Sequence, residues 1–362
     1  MAARFRVLTG LGLMGAVALA AGCGAPPSAG GSASASGEMS DVKACLVSDE
    51  GGFQDKSFNQ SAKQGLDRAV SELGVQSATA ESHSSAEYAP NVANLISQNC
   101  TIIFGVGFTI NDAIRDAARA NPDVKFALID SSITENNQEL SLANAKPLLF
   151  NTAEAAFAAG YLAAGMTKSN KIGTWGGMQI PPVSIFMDGF ADGIAYYNQT
   201  KGTKVELIGW DRAAQNGSFT GDFSDASKGK ELTAGMISQG CDIIMPVAGN
   251  SGTGAFAAAK EANGVSIVWV DSDGFETSQD GSIIITSVMK EIGQSVFGTI
   301  RSEVDGKFAA DPYIGTLKNE GVGLAPYHDF DSKVSDELKA EVKKVIEDIK
   351  SGTIKVESPN QP

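Results

Sequence analysis

Residues 96–107 read "ISQNCTIIFGVG", and residues 237–248 repeat the pattern as "ISQGCDIIMPVA". The offset of 141 residues between Cys100 and Cys241 continues without a gap as far as Asp130 and Asp271. Each copy joins the end of a helical stretch to a short run of β-branched and apolar residues, as expected for a helix followed by a buried strand. The duplication therefore predicts two homologous lobes.

The same alternation of short apolar runs and helical stretches extends along the whole body of the chain. It includes "VKACLVS" at 42–48 and "KFALID" at 125–130, and a second series begins near Lys171. Such alternation is typical of parallel sheets covered by helices. We therefore predict an α/β protein of two lobes with parallel sheets, in which the helical stretch at 151–169 carries the chain from one lobe to the other.

Three aspartates lie where predicted strands end. Asp130 and Asp271 end equivalent strands of the repeat, and Asp49 follows the first strand. Ligands of parallel α/β sheets bind beyond the carboxyl ends of the strands. If the two lobes face each other, we expect the three carboxylates to share one cleft, although solvated loop acids are the alternative for any one of them.

Residues 48–60, "SDEGGFQDKSFNQ", join the first predicted strand to the first predicted helix. Ser57 is a suitable N-cap for a helix that begins at Phe58 and Asn59. A helix N-terminus offers N–H groups to polar ligand atoms. Phe58 is not needed for capping, so it is either a core residue at the helix start or an aromatic residue that faces a ligand.

The longer stretch "SDEGGFQDKSFNQSAKQGL" at 48–66 closely resembles the signature of the basic membrane protein (BMP) family. These proteins are substrate-binding lipoproteins of ABC transporters, and the characterised members bind purine nucleosides. Weaker similarities follow in the family's order, among them "GVGF" at 105–108, "IGTWGGM" at 172–178, "FSDASKGKEL" at 223–232 and "TSVMK" at 286–290. The resemblance implies a type I periplasmic-binding-protein fold, in which two Rossmann-like lobes joined by a hinge close on a nucleoside.

The resemblance also implies a set of ligand-binding residues: Asp49, Phe58, Asn59, Asp130, Phe223, Gly249, Asp271 and Lys290. The two phenylalanines would stack on the faces of the base, with Phe219 as the alternative second ring. The asparagine would hydrogen-bond the base, and the aspartates would accept from ribose hydroxyls or base N–H groups, with Asp273 as the alternative to Asp271. The glycine backbone and the lysine complete the polar set. Because no basic cluster accompanies the carboxylates, we expect phosphorylated nucleotides to be rejected.

The N-terminus has the pattern of an exported lipoprotein. Arg4 and Arg6 precede the apolar run "VLTGLGLMGAVALAAG", which predicts a secretory signal peptide over 1–22. "LAAGC" then ends at Cys23 and resembles the lipobox at which bacterial prolipoproteins are diacylated. The Gly/Ser/Pro/Ala-rich tract over 23–40 is typical of a flexible linker. We expect an extracytoplasmic protein anchored to the cell membrane through Cys23, and ordinary cleavage that leaves a thiol is the alternative.

The remaining 320 or so residues are about enough for two domains. We place the first lobe at 41–155 with a returning segment near 283–320, and the second at 156–282 with a final segment near 321–362. Cys45, Cys100 and Cys241 are expected to be buried thiols, because none has the spacing of a metal site.

The composition disfavours several classes of partner and of catalytic centre. The net charge of −14 disfavours nucleic acid and anionic lipid surfaces as partners, and two histidines leave little for a His-based catalytic or zinc centre. We therefore expect a binding protein rather than an enzyme, without cofactor or metal, acting as a monomer that serves a permease and a separate ATPase. The alternatives are a ribose-type sugar receptor, a receptor for a sensor and, less favoured, a nucleoside hydrolase.

Overall fold

The computed structural model describes residues 40–136 and 138–362. The predicted signal peptide, the predicted lipidation site Cys23 and almost all of the linker lie outside the described residues. The first half of the chain contains β1 (Lys43–Val47), α1 (Phe58–Leu73), β2 (Gln76–Ala80), α2 (Tyr88–Ser97), β3 (Ile102–Val106), α3 (Asn111–Ala120), β4 (Lys125–Ile129), β5 (Thr134–Glu135), β6 (Gln138–Glu139), β7 (Ala145–Phe150) and α4 (Thr152–Met166).

The second half repeats the alternation of strands and helices. It contains β8 (Lys171–Gly176), α5 (Pro181–Lys201), β9 (Glu206–Ile208), β10 (Trp210–Asp211), β11 (Asn216–Gly217), α6 (Ala226–Ser238), β12 (Ile243–Val247), α7 (Gly249–Gly252), α8 (Gly254–Ala262), β13 (Ser266–Asp271), α9 (Gly274–Thr277), β14 (Ile284–Lys290), α10 (Ile292–Val304), β15 (Tyr313–Gly315), β16 (Val322–Leu324) and α11 (Asp336–Lys350).

Two six-stranded sheets define the two lobes. The order is β15-β7-β4-β3-β1-β2 in the first and β16-β14-β13-β12-β8-β9 in the second. All neighbours are parallel except β16, which runs antiparallel to β14 at the edge of the second sheet. The repeated stretches occupy equivalent positions, since β3 and β4 of the first sheet correspond to β12 and β13 of the second. The predicted α/β fold with two parallel-sheet lobes is confirmed.

The chain crosses between the lobes three times: between β7 and α4, between β14 and α10, and between β15 and β16. The predicted return to the first lobe near 283 is wrong, because residues 284–290 form β14 and pair with β13 in the second sheet. The return comes after Lys290, where α10 packs against α1. This crossing places Lys290 at the end of a second-lobe strand, next to the hinge.

The expectation of three buried thiols is wrong for two of them. Cys45 on β1 and Cys100 just before β3 form a disulfide with a Cα–Cα distance of 6.1 Å. The two strands are neighbours in the first sheet, so the bridge fastens adjacent strands within one lobe. Cys241 is buried and is not part of this disulfide. A separate finding is that no helix in residues 40–136 or 138–362 is both long and apolar enough to cross a membrane.

Candidate ligand-binding cleft

A cavity lies between the two lobes, at the carboxyl ends of the strands. The atom-free space between its lining residues is about 530 Å³, part of which is open solvent at the mouth. The structure brings all eight sequence-predicted residues to its wall: Asp49, Phe58, Asn59, Asp130, Phe223, Gly249, Asp271 and Lys290. The first lobe supplies four of them and the second lobe the other four. Their arrangement around one space follows from the facing of the two sheets.

The strand-end aspartates lie in the expected positions. Asp130 directly follows β4 and Asp271 ends β13, and both have left-handed backbone, with φ of 65° and 67°. This conformation is uncommon for residues other than glycine and is concentrated at functional sites. Both side chains are more than nine-tenths buried. Equivalent positions in the repeat thus place two buried carboxylates on opposite sides of one cleft.

Lys290 lies between these two carboxylates. Its Nζ donates to Asp130 across the cleft and lies 3.6 Å from Oδ1 of Asp271. The lysine side chain is 2% exposed and its ammonium also lies 4.8 Å from the ring centre of Phe186 and 5.3 Å from that of Phe58. One buried cation therefore links an acid of each lobe and faces two aromatic rings, which is a favourable position for an ammonium group.

Asp271 Oδ1 has no hydrogen-bond donor among the described residues, although it is fully buried. A buried polar atom of this kind is costly unless a partner satisfies it. The other oxygen, Oδ2, accepts from Ser57 Oγ at 2.8 Å. Asp273, the alternative sugar-binding acid, instead accepts from the backbone N–H of Phe275 and contacts His328. The geometry thus favours Asp271 as the residue that faces the cavity.

The N-terminus of α1 is capped by a different residue from the one predicted from the sequence. Ser57 makes no side-chain capping bond; the carboxylate of Asp55 accepts from the backbone N–H groups of Asn59 and Gln60 at 2.8 and 3.0 Å. Asp55 also accepts from the backbone N–H of Ser57. An acid reaches the orphan N–H groups of the first turn as well as a serine does. The hydroxyl of Ser57 is therefore available for a different contact.

Asn59 is held by two carboxylates. Its Nδ2 donates to Asp49 at 2.8 Å and to Asp55 at 2.9 Å, and its Oδ1 accepts from the backbone N–H of Asp49. Both amide protons are thus used within the protein. Asp49 Oδ1 also accepts from the N–H of Gly51, while Oδ2 faces Gly107, where an added Cβ would lie 2.9 Å away. Gly107 therefore keeps space open beside this oxygen.

Burial raises the pKa of three carboxyl groups in this region. The pKa of Asp49 rises to about 7, and those of Asp55 and Asp130 rise to about 6. Desolvation is the largest cause in each, since removal from water disfavours the charged form. Hydrogen bonds from Gly51 and Asn59 oppose it at Asp49, and the charge of Lys290 opposes it at Asp130. The negative charge of the cleft therefore grows as the pH rises through neutrality.

Aromatic rings come from both lobes. Phe58 is half-buried at the start of α1 and Phe223 lies in the loop before α6. The ring of Phe223 lies against Gly177, where an added Cβ would be 2.4 Å from it. Phe219 does not line the cavity and packs edge-on against Trp210 at 6.1 Å. Of the two alternatives, Phe223 is therefore the ring at the cleft.

Sequence reasoning missed several residues of this wall, notably Asp55, Gly107 and Phe186. The first stands within the quoted signature, three residues before Phe58, and its spacing from the helix start is a usable capping signal. Gly107 follows β3, a strand within the repeat, so its position at the end of a strand could be predicted from the sequence. Phe186 is on α5 within an apolar run, where nothing in the local pattern separates a cavity residue from a core residue.

Two lobes of parallel sheet with a polar and aromatic cavity between them define a solute-binding protein of the type I periplasmic class. A family model described as Bmp, ABC transporter substrate-binding protein PnrA-like, matches residues 42–359. The chain therefore belongs to the Bmp family of ABC transporter substrate-binding proteins. The family membership implied by the sequence signature is confirmed.

Individual relatives agree with this membership. The ABC transporter nucleoside-binding protein BmpA of Lactococcus lactis subsp. cremoris is 34% identical over 365 residues, 95% of this chain and 96% of that protein. Basic membrane protein A of Borreliella burgdorferi is 32% identical over 255 residues, 70% of each chain. A solved ABC transporter solute-binding protein from Aeropyrum pernix K1 has a TM-score of 0.77 at 29% identity, covering 88% of this chain and 94% of that one.

A more distant neighbour shows how widely the fold is used. AraP, an arabinose binding protein from Geobacillus stearothermophilus, has a TM-score of 0.58 at 16% identity, with 81% of this chain and 99% of that chain covered. At this identity the likeness concerns the fold alone. The ligand of the present protein must therefore be argued from its own cleft.

Proposed function

We propose that this protein is the extracytoplasmic receptor of an ABC importer and captures nucleosides, with a preference for purines, between its two lobes. The observation that carries the proposal is the pairing in one cavity of Phe58 and Phe223, one from each lobe, with the buried carboxylates of Asp130 and Asp271. A nucleoside has both an aromatic base and a hydroxyl-rich sugar. The relative named as nucleoside-binding adds support.

The aromatic pair suits the base. Rings from opposite lobes meet the two faces of a planar base only when the lobes close, so stacking rewards closure. Stacking of a base on an aromatic side chain contributes about 1–3 kcal/mol in proteins that bind single-stranded nucleic acid. A purine offers more ring area than a pyrimidine, which is the physical basis for the proposed preference.

The acids suit the sugar. Ribose hydroxyls donate hydrogen bonds, and Oδ1 of Asp271 is a buried acceptor that has no donor within the described residues. Charge-assisted hydrogen bonds to a carboxylate are stronger than neutral ones. A phosphate would instead meet Asp49, Asp130 and Asp271. Among the described residues that line the cavity, Lys290 is the only basic one, and it already contacts two of these acids. The proposed ligand is therefore unphosphorylated.

The base edge is assigned differently from the sequence-based hypothesis. Both N–H donors of Asn59 are used by Asp49 and Asp55, so Asn59 orients Asp49 rather than donating to the base. Oδ2 of Asp49, beside Gly107 and the ring of Phe58, is then the acceptor for a base N–H group.

The import apparatus is proposed from family membership and the N-terminal pattern together. The permease and ATPase are separate chains in this proposal, and the protein acts as a monomer held to the membrane by a diacylated Cys23. A ribose-type receptor is the second candidate, because the same carboxylates would accept from a free sugar; the aromatic pair is what favours a nucleoside.

Replacing Phe58 by alanine tests whether this ring stacks on a base or belongs to the core. We expect Phe58→Ala to lower inosine affinity about ten- to a hundredfold, the equivalent of the stacking energy, with little change in the stability of the ligand-free protein. Isothermal titration gives the affinity and thermal unfolding gives the stability. If Phe58 were a core residue, the substitution would instead lower the free energy of unfolding by about 3–5 kcal/mol.

Phe219→Ala is the matched control, because this ring packs on Trp210 outside the cavity. It should lower stability and leave inosine affinity within about threefold of wild type. An unchanged inosine affinity in Phe58→Ala would contradict the nucleoside assignment.

A further inference from the structure

Lys56 and Ser57 reach from the first lobe into the second, and we call their contacts there the interlobe latch. The backbone oxygen of Lys56 accepts from three second-lobe groups: Ser272 Oγ at 2.8 Å, Thr277 Oγ1 at 3.0 Å and Trp269 Nε1 at 3.3 Å. Trp269 lies on β13, the strand that ends at Asp271. Ser272 follows this strand directly, and Thr277 is the last residue of α9. The latch thus attaches the loop before α1 directly to the ligand-facing end of β13.

Local structure fixes the latch on the first-lobe side. Lys56 has left-handed backbone with φ of 57°, and its carbonyl oxygen contacts the second lobe. Asp55 accepts from the backbone N–H of Ser57 at 3.0 Å and caps α1 through Asn59 and Gln60. The position of Ser57 is therefore set by the same carboxylate that begins the helix.

The side chain of Ser57 is directed at Asp271. Its Oγ lies 2.8 Å from Oδ2 of Asp271 and 3.2 Å from the backbone oxygen of Val270, and the residue is fully buried. A hydroxyl has one proton to donate, and a bond to a carboxylate is the stronger choice. Ser57 thus fixes one oxygen of Asp271, while the other oxygen is a buried acceptor that has no donor among the described residues, on a side chain that lines the cavity.

We propose that Ser57 is a positioning residue that orients the Asp271 carboxylate toward the sugar hydroxyls across the closed cleft, and so couples lobe closure to ligand affinity. The inference rests on the proposed function in that it gives Asp271 a ligand hydroxyl as its donor. Ser57 itself acts through Asp271. Because the two residues belong to different lobes, the orienting bond exists only when the lobes are in contact, and opening would loosen the ligand's acceptor at the same moment.

A double-mutant cycle with inosine tests this role by combining Ser57→Ala with Asp271→Ala. We expect Ser57→Ala alone to lower affinity about ten- to a hundredfold, as for the loss of a hydrogen bond to a charged group. The loss should lie mainly in a faster dissociation rate, measured by stopped flow. In the Asp271→Ala background, Ser57→Ala should change affinity less than about twofold, since the partner is already gone.

Ser295→Ala is the matched control. It removes a buried serine hydroxyl that donates to the backbone oxygen of Ile292 within α10, outside the latch and the cavity, so affinity should stay within about threefold of wild type. Melting temperatures of the ligand-free proteins report folding. Should the alanine variant be destabilised, the nearly isosteric Ser57→Cys, a weaker donor, is expected to give a smaller loss that also vanishes in the Asp271→Ala background.

Two results would overturn the role of Ser57: wild-type affinity in Ser57→Ala, or an equal loss in the presence and absence of Asp271. Failure of the proposed function looks different, because wild type itself would then fail to bind inosine. In that event the same cycle with D-ribose tests the role of Ser57, since Asp271 would accept from the sugar of a nucleoside and from a free sugar alike. If wild type bound neither inosine nor D-ribose, both proposals would be overturned.

Discussion

Replacing Lys290 by methionine should lower nucleoside affinity by at least about a hundredfold at pH 8. Without the ammonium, Asp130 of one lobe and Asp271 of the other approach as buried like charges. Removing one partner of a buried ion pair typically costs about 3–5 kcal/mol, because a charge is left uncompensated. Here the cost falls on closure rather than on folding, since opening the cleft returns both carboxylates to water.

Titration calorimetry with inosine measures this loss. Lys344→Met is the control, since Lys344 pairs with Asp348 on the exposed surface of α11 and should have no effect on affinity. The unfolding midpoint of the ligand-free Lys290→Met protein should fall much less than its affinity. An affinity within about threefold of wild type would contradict the role given to this lysine.

The loss should also depend on pH. Burial already raises the pKa of Asp130 to about 6, and the charge of Lys290 and its hydrogen bond oppose that rise. Without them the pKa of Asp130 rises further, so lowering the pH from about 8 toward about 6 neutralises this carboxyl more readily in the variant. The ratio of wild-type to variant affinity is therefore expected to shrink as the pH falls.

Removing the disulfide should have the largest effect on stability. The bridge joins Cys45 and Cys100, which are 55 residues apart, and loop-closure entropy assigns such a cross-link about 4 kcal/mol, with about 2–4 kcal/mol commonly measured. We expect the double substitution Cys45→Ala with Cys100→Ala to lower the free energy of unfolding by this amount in urea titrations. Inosine affinity should change little, because neither cysteine lines the cleft.

Cys241→Ala provides the comparison for the disulfide. It removes a buried thiol outside this bridge and should cost no more than roughly 1 kcal/mol. Dithiothreitol should destabilise wild type and leave the double variant unaffected. Equal stability of the double variant and Cys241→Ala would contradict a stabilising bridge between β1 and β3.

Much of this architecture could be predicted from the sequence because it repeats. The offset that relates Cys100 to Cys241 also relates Asp130 to Asp271, and the structure places both aspartates at equivalent strand ends with the same backbone conformation. The signature around Phe58 marked the joint that the cleft uses. Strand-end position predicted a shared cleft for Asp49, Asp130 and Asp271, whereas the remaining predicted residues came from the family resemblance; the structure places all of them around one cavity.

What the sequence could not predict depends on contacts between distant segments. Ser57 and Asp271 are 214 positions apart in the sequence. Only the three-dimensional structure shows that the Ser57 hydroxyl donates to Asp271 of the second lobe instead of capping its own helix. The disulfide was missed for a related reason, since the spacing of Cys45 and Cys100 has no signal of its own. Their pairing follows from the adjacency of β1 and β3.

The most direct test of the nucleoside assignment is the response of the wild-type protein to inosine and to D-ribose, measured by thermal unfolding under identical conditions. A ligand present at about 100 times its dissociation constant adds about 2.7 kcal/mol to the stability of the folded state. We predict that inosine raises the melting temperature by several degrees and that D-ribose at the same concentration raises it far less, because the free sugar cannot contact Phe58 and Phe223 as a base would. Stabilisation by D-ribose as strong as that by inosine would contradict this prediction.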